Sequence, residues 1–310
     1  MSYLKSIRKI ISVIIITIII YAIFLFISDI EKISDKIFDF KIEFIPIIVS
    51  LVVLSWLISY TRWNVLLKNN SIHIPHSINF QIFLVGGALG ITPGKVGELF
   101  KSQILKDKFS IPRAKTAPLF IVEKFLDLIS AMVVTLIGIW FIPEIGYITI
   151  LGLVSSIIIF TILTSKKFFT KTINFFIKFK FFKKYLEPLS SSHDVLHKSM
   201  MSRKMILLLL LSTCYWITIG TAAYFVIEAF GISTIGIINS ISTYSSSLII
   251  GAISFIPGGI GVAEGSLIGL LTIQNVDFSD AIVVVVLLRF FTLWLTTIAG
   301  FIALKTSKSL

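Results

Sequence analysis

Long apolar runs separated by short polar stretches dominate the chain, and their lengths set the first expectation. A bilayer core takes roughly 20 apolar residues per helix. Runs of that order fall at 10–27, 44–60, 117–142, 148–164, 205–228 and 281–304. Two further apolar stretches are broken: 78–104 by Thr92-Pro93-Gly94-Lys95, and 237–273 by Pro257-Gly258-Gly259-Ile260-Gly261. Most of their halves are too short to cross comfortably. Proline and glycine at membrane depth are tolerated only where protein or a wet cavity satisfies the freed backbone groups. The pattern therefore predicts an all-α integral membrane protein, one membrane domain over 1–310, with about six transmembrane helices plus two re-entrant helical hairpins.

Composition supports this solvent. The chain is 56% hydrophobic and only 14% charged, where a soluble domain carries roughly a quarter charged residues. A net charge of +12 would point to nucleic acid in a soluble protein, but here the basic residues collect between apolar runs. That placement favours anionic lipid headgroups as partners, with no nucleic acid. Cys214 is the single cysteine, so no intrachain disulfide is expected. Lys5, Arg8 and Lys9 precede the first run, as in a signal peptide. The run is longer than a usual signal core and lacks a small-x-small cleavage site, so it reads as a retained first span.

Loop charges orient the spans. Lys5, Arg8 and Lys9 place the N-terminus in the cytoplasm, and the acid-rich 28–43 falls outside. Arg62, Lys68, Lys95, Lys101, Lys106, Lys108, Arg113 and Lys115 all stay inside if the first hairpin enters and leaves on the cytoplasmic face. The turn at Pro143-Glu144 has no basic residue and reads as outside, and the basic loop 165–204 reads as inside. The acid-only 274–280 makes the second hairpin open outward, and Lys305 and Lys308 bring the C-terminus back to the cytoplasm. Within 165–204, seven phenylalanines in 168–182 make free solvation unfavourable. Phe168, Phe175, Phe179, Phe182 and Leu186 share one helical face and Lys167, Lys171, Asn174 and Lys178 another, the pattern of a helix lying in the interface plane.

The two breaks resemble each other. Thr92-Pro93-Gly94-Lys95-Val96-Gly97-Glu98 aligns with Ile256-Pro257-Gly258-Gly259-Ile260-Gly261-Val262-Ala263-Glu264, given two extra residues in the second copy. Lys124 follows Glu98 by 26 positions, and Arg289 follows Glu264 by 25. Each half then reads span, span, hairpin, span. Three crossings per half give the halves opposite orientation, which is the inverted-repeat layout of secondary transporters. The repeats run over about 1–142 and 148–304.

Charges inside spans are functional or paired by default. Glu123 and Asp127, four apart on one helical face, can pair with Lys95, Lys101 or Arg289, whereas Lys124 can also snorkel to the interface. A lined polar cavity and a structural charge cluster both fit these residues. At each break a proline ends one half-helix and glycines let the chain turn into the next, whose N–H groups attract an anion. Glu98 and Glu264 can balance that dipole. Gly86-xxx-Gly90 and Gly265-xxx-Gly269 read as close helix packing. Pro93-Gly94-Lys95-Val96 lacks the leading glycine and the hydroxyl residue of a phosphate-binding loop, so no nucleotide cofactor is expected. His73, His76, His193 and His197 read as solvated loop histidines, and no metal site is expected.

Taken together, Arg62-Trp63, Pro93-Gly94-Lys95-x-Gly97-Glu98-x-x-Lys101, Glu123-Lys124-x-x-Asp127, Pro257-Gly258-Gly259-x-Gly261-x-x-Glu264 and Arg289 resemble a known family. It is the flippase-like transmembrane region of lysylphosphatidylglycerol synthases, which also occurs as a free-standing membrane protein. Lys95, Lys101 and Lys124 stand where that family often has Arg, and lysine does not fork bidentately onto phosphate. The synthases' soluble transferase domain has no counterpart among these residues, so lysyl transfer is not implied. The expectation is a lipid translocase of the cell membrane, moving an anionic or polyprenyl-linked headgroup between the hairpins. The rival readings are a membrane-embedded glycosyl- or lipid-phosphate transferase and the non-catalytic partner of such an enzyme.

Overall fold

Apolar runs of this length bury their backbone polar groups most economically as helices, and helices are what they form. The computed structural model describes residues 38–140, 143, 145–178, 192–254 and 256–306. The expected span 10–27, the loop charges that precede it and the stretch 179–191 of the basic segment lie outside the described residues. Helix α1 (Ile45–Asn69) leads to α2 (His76–Ala88), which runs into a short 3-10 turn, Leu89–Ile91. A second 3-10 segment, Pro93–Leu99, then feeds α3 (Phe100–Phe109) and the long α4 (Arg113–Gly138). Next come α5 (Ile145–Thr164), α6 (Lys166–Ile177), α7 (His193–Met200) and α8 (Met205–Ala229). The last part comprises α9 (Ile237–Ile253), the turn Pro257–Gly259, α10 (Val262–Ile273), α11 (Phe278–Arg289) and α12 (Leu295–Thr306).

Three helical stretches among the described residues are long and apolar enough to cross a membrane: Ile42–Asn69, Met205–Ala229 and Phe278–Thr306. These correspond to the expected spans 44–60, 205–228 and 281–304. A fourth is added if α5 and α6 are counted as one bent span, for they meet at 100°. Helix α4 is 26 residues long, but Arg113, Lys115, Glu123, Lys124 and Asp127 load its first fifteen residues with charge. Helices α2, α9 and α10 are apolar yet shorter. The described residues fold as helices with no strand among them, several of membrane length, and give fewer such helices than the six expected, one of which, 10–27, lies outside them.

The packing divides into two apolar cores. One gathers Val52 of α1, Met132 and Val134 of α4, Val226 of α8, Leu271 of α10 and Val284 of α11. The other gathers Trp63 and Leu67 of α1, Leu105 of α3, Leu119 and Leu126 of α4, Phe169 of α6 and Leu196 of α7. Helices α1 and α4 each pass from one core to the other.

Helix α6 differs in one respect from the face read in the sequence. Phe169 and Ile173 are the positions buried against the second core, while Phe168, Phe175, Lys167 and Lys171 are exposed. The 100° turn from α5 presses one side of the helix onto the protein, so the phenylalanines divide between an inner and an outer face.

Candidate functional site

The first break is shaped by Thr92 and Gly97. The Thr92 hydroxyl donates to the Leu89 carbonyl at 2.8 Å and accepts from the Gly97 N–H at 2.6 Å, which folds the segment into a tight 3-10 coil. A Cβ on Gly97 would overlap the Leu89 carbonyl oxygen, so only glycine fits there. Lys95 has a left-handed backbone, φ 56°, and its sequence counterpart in the second break, Gly259, has φ 69°. Gly258 and Gly261 are left-handed too, at 61° and 84°. Three glycines give the second break its turn without steric penalty, whereas a lysine pays roughly 1 kcal/mol for the same conformation. The breaks meet each other: Leu89–Ile91 and Pro93–Leu99 both pack against Pro257–Gly259, and a Cβ on Gly258 would lie 3.5 Å from Ile91 Cγ1.

Beneath the first break, the 3-10 segment Pro93–Leu99 and helices α1, α3 and α4 bring six charged side chains together. Arg62 donates through one guanidinium nitrogen to Asp127 and to the Ser212 hydroxyl (2.7 Å), and its other nitrogen is 3.9 Å from Glu123. Lys101 Nζ is 2.8 Å from Glu123 Oε2, 3.9 Å from Glu98 and 4.1 Å from the centre of the Trp63 ring. Lys124 Nζ is 2.9 Å from Glu98 Oε1 and 3.5 Å from Asp127. Three cations thus neutralise three carboxylates. The group is graded in access: the side chains of Arg62, Lys101 and Glu123 are 2–3% exposed, those of Glu98, Asp127 and Lys124 14%, 17% and 28%.

The second break has its own pair. Arg289 Nε is 2.8 Å from Glu264 Oε1, and the other Glu264 oxygen accepts from the Gly261 N–H at 2.7 Å. Glu264 therefore caps the start of α10 and holds a buried cation from α11 at once. Directly after Arg289 the chain forms a π-helical turn, Phe290–Trp294, a wider geometry that recurs at functional sites.

Lys95 is the exception. It is exposed, lies within electrostatic range of Glu98, Asp127, Lys124 and Arg289, and makes no ion pair within 4 Å among the described residues. It adds one unneutralised positive charge where the two halves of the chain meet.

Of the residues singled out in the sequence, Arg62, Glu98, Lys101, Glu123, Lys124 and Asp127 come together, with Glu264 and Arg289 as a separate pair. Glu123 takes Lys101 and Asp127 takes Arg62, but neither reaches Arg289, which Glu264 holds. Thr92, Pro93, Gly94 and Gly97 form the first turn, and Pro257, Gly258, Gly259 and Gly261 the second. The glycine pairs read as helix-packing sites behave otherwise. A Cβ on Gly86 would meet the Lys101 stem at 2.5 Å, so this glycine makes room for a charged side chain, whereas one on Gly90 would lie at ordinary contact distance, 3.5 Å, from Glu98. Gly265 and Gly269 face open space. Sequence reasoning missed Ser212, the first hydroxyl after the run of leucines in α8 and buried there with its partner Arg62. It also missed Tyr215 and Tyr244, whose hydroxyls lie in electrostatic range of Asp127 and Arg289 respectively, and only their aromatic ring in an apolar helix would have signalled them.

Helices of membrane length enclosing a buried ionic cluster define an integral membrane protein with a polar interior. The chain belongs to the family described as the lysylphosphatidylglycerol synthase TM region, which it matches over residues 10–300. It is similar to the UPF0104 membrane protein MJ1078 of Methanocaldococcus jannaschii, at 28% identity over a match covering 64% of this chain and 85% of that protein. No solved structure matches it.

Proposed function

We propose that this protein is a lipid translocase of the cell membrane, passing an anionic or glycosylated headgroup between two re-entrant hairpins while the tails stay in the bilayer. Residues 78–104 and 237–273 are the hairpins, members of an inverted repeat, and both termini are cytoplasmic. The observation that carries this reading is Lys95: one surplus cation, exposed, on a strained backbone, at the contact between the two breaks. Around it the fixed ion pairs of Arg62, Lys101, Lys124 and Arg289 supply a polar lining whose charges are already compensated. Such a lining lets a headgroup enter without the desolvation penalty of bare hydrocarbon. The remaining positions singled out, from Thr92 to Gly97 and from Pro257 to Gly261, shape the passage. Membership of the family, whose described region is a membrane domain, supports a lipid substrate.

The test is headgroup scrambling in proteoliposomes carrying fluorescent phosphatidylglycerol. The wild type should move label well above protein-free vesicles. Lys95→Ala should slow it about tenfold, the loss of one charge-assisted contact of roughly 1.5 kcal/mol. Scrambling no faster than in empty vesicles, or unchanged by Lys95→Ala and Arg289→Ala, overturns the reading. Formation of a new lipid product by the purified protein would instead favour the transferase alternative.

A further inference from the structure

We infer that the site between the two breaks selects lipids bearing a single phosphodiester charge, and rejects both zwitterionic and diphosphate headgroups. This rests on the translocase reading for its lipid, and on charge accounting for its selectivity. Among the described residues, the other cations near the breaks are held: Lys124 by Glu98 at 2.9 Å, Lys101 by Glu123 at 2.8 Å, Arg62 by Asp127, Arg289 by Glu264 at 2.8 Å. Among the described residues Lys95 is the cation of this group with no carboxylate within 4 Å, so the cluster has one surplus positive charge to offer.

A second negative charge has nowhere favourable to go. The accessible edge of the cluster carries Glu98 and Asp127 as well as Lys124, at 14%, 17% and 28% exposure. A diphosphate reaching past Lys95 meets those carboxylates, and recruiting Lys124 to it would take from Glu98 its nearest cation, leaving only Lys101 at 3.9 Å, in a poorly solvated place. A zwitterionic headgroup brings its own cation, and that ammonium competes with Lys95 for the same phosphate. A singly charged phosphodiester, whether of a glycerophospholipid or of a polyprenyl phosphosugar, matches the surplus.

Charge is selected here more sharply than shape. Lysine offers a point charge on a flexible stem, where a guanidinium would impose a planar fork. The group esterified beyond the phosphate is therefore read loosely by Lys95. The backbone marks the residue's purpose: its counterpart Gly259 has nearly the same left-handed φ, so glycine would serve the turn at position 95 and the side chain is what lysine adds.

That same backbone supplies the control. Lys95→Gly removes the cation while relaxing the turn, so the variant should fold at least as well as the wild type and any loss of binding is not misfolding. Native mass spectrometry of the purified protein with three dioleoyl lipids of equal tails measures the preference: phosphatidylglycerol, phosphatidylcholine and diacylglycerol diphosphate. The wild type should retain phosphatidylglycerol about tenfold better than either of the others, a difference of roughly 1.4 kcal/mol. Lys95→Gly should abolish that preference, and Glu98→Gln, which removes the nearer of the two carboxylates at Lys124, should raise retention of the diphosphate several-fold. Equal retention of all three lipids by the wild type, or a preference that survives Lys95→Gly, overturns the inference. Soluble glycerophosphoglycerol competing as well as the whole lipid would place the ligand in solution, and overturns it too. Scrambling is read separately. Selective binding without scrambling removes the translocase reading and leaves the selectivity standing, whereas scrambling at one rate for all three lipids does the reverse.

Discussion

Glu123 is 2% exposed and faces two cations, Lys101 at 2.8 Å and Arg62 at 3.9 Å. Removing one member of a buried ionic group strands its partners, which is worth roughly 3–5 kcal/mol. Glu123→Ala should therefore be among the most destabilising single changes in the chain, read as a lower midpoint in thermal unfolding of the detergent-solubilised protein. Lys95→Gly should move the other way, by roughly 1 kcal/mol, since it relieves a left-handed lysine. Opposite shifts from two charges in one neighbourhood separate a structural ion pair from a site residue. A stabilising Glu123→Ala would mean that the cluster is merely tolerated. At this scale the charges themselves were legible, because an ionisable residue in an apolar run stands out. The spacings from Glu98 to Lys124 and from Glu264 to Arg289 were legible as well, and both resolve into ion pairs under 3 Å. Which carboxylate takes which cation was not. Asp127 and Glu123 lie on one helical face with several cations in sequence reach, and only the approach of α1 assigns Arg62 to the first and leaves Lys101 to the second.

Among the elements, the breaks were readable from proline and glycine, but their inner geometry was not. Nothing in Pro93–Leu99 announces seven residues of 3-10 helix, which arise because Thr92 satisfies the Gly97 N–H and draws the coil tight. The π turn after Arg289 is silent in the sequence too. Gly97→Ala tests the first of these, since the added methyl overlaps a backbone carbonyl that cannot swing aside. It should destabilise the fold by a few kcal/mol and lower expression, as overpacking against fixed atoms does. Normal stability in that variant would mean that the coil is free to open. Helix α6 carries a different prediction. It turns 100° from α5, buries Phe169 and Ile173 against the protein and exposes Phe168 beside Lys167 and Lys171. Helices of this composition rest in the headgroup layer. In nanodiscs, a tryptophan introduced by Phe168→Trp should be quenched strongly by lipids brominated high on the acyl chain and weakly by aqueous iodide. The reverse order would put α6 in solvent.

For the whole molecule, an all-helical fold with several apolar, membrane-length helices followed from hydropathy alone, whereas the contact between the two breaks is a tertiary fact. They are more than 150 residues apart in the chain, and the sequence offers only their mutual resemblance. Their meeting, with Ile91 against Gly258, has a mechanical consequence. A headgroup that passes between two segments in van der Waals contact must separate them, so a covalent tie there should arrest transport. Cys214 is the lone cysteine and is exposed in α8, so Cys214→Ser gives a clean background. In it, Ile91→Cys and Gly258→Cys place two thiols across the junction, with roughly 1 kcal/mol of strain expected at the left-handed position. Oxidation or a short bifunctional thiol reagent should cut scrambling of labelled phosphatidylglycerol to the protein-free rate, and reduction of the disulfide should restore it. Each single-cysteine variant should be indifferent to the same treatment, which separates a locked passage from chemical damage. Undiminished scrambling by a fully cross-linked protein would show that lipid travels elsewhere, and the charge surplus at Lys95 would then mark a binding site away from the route.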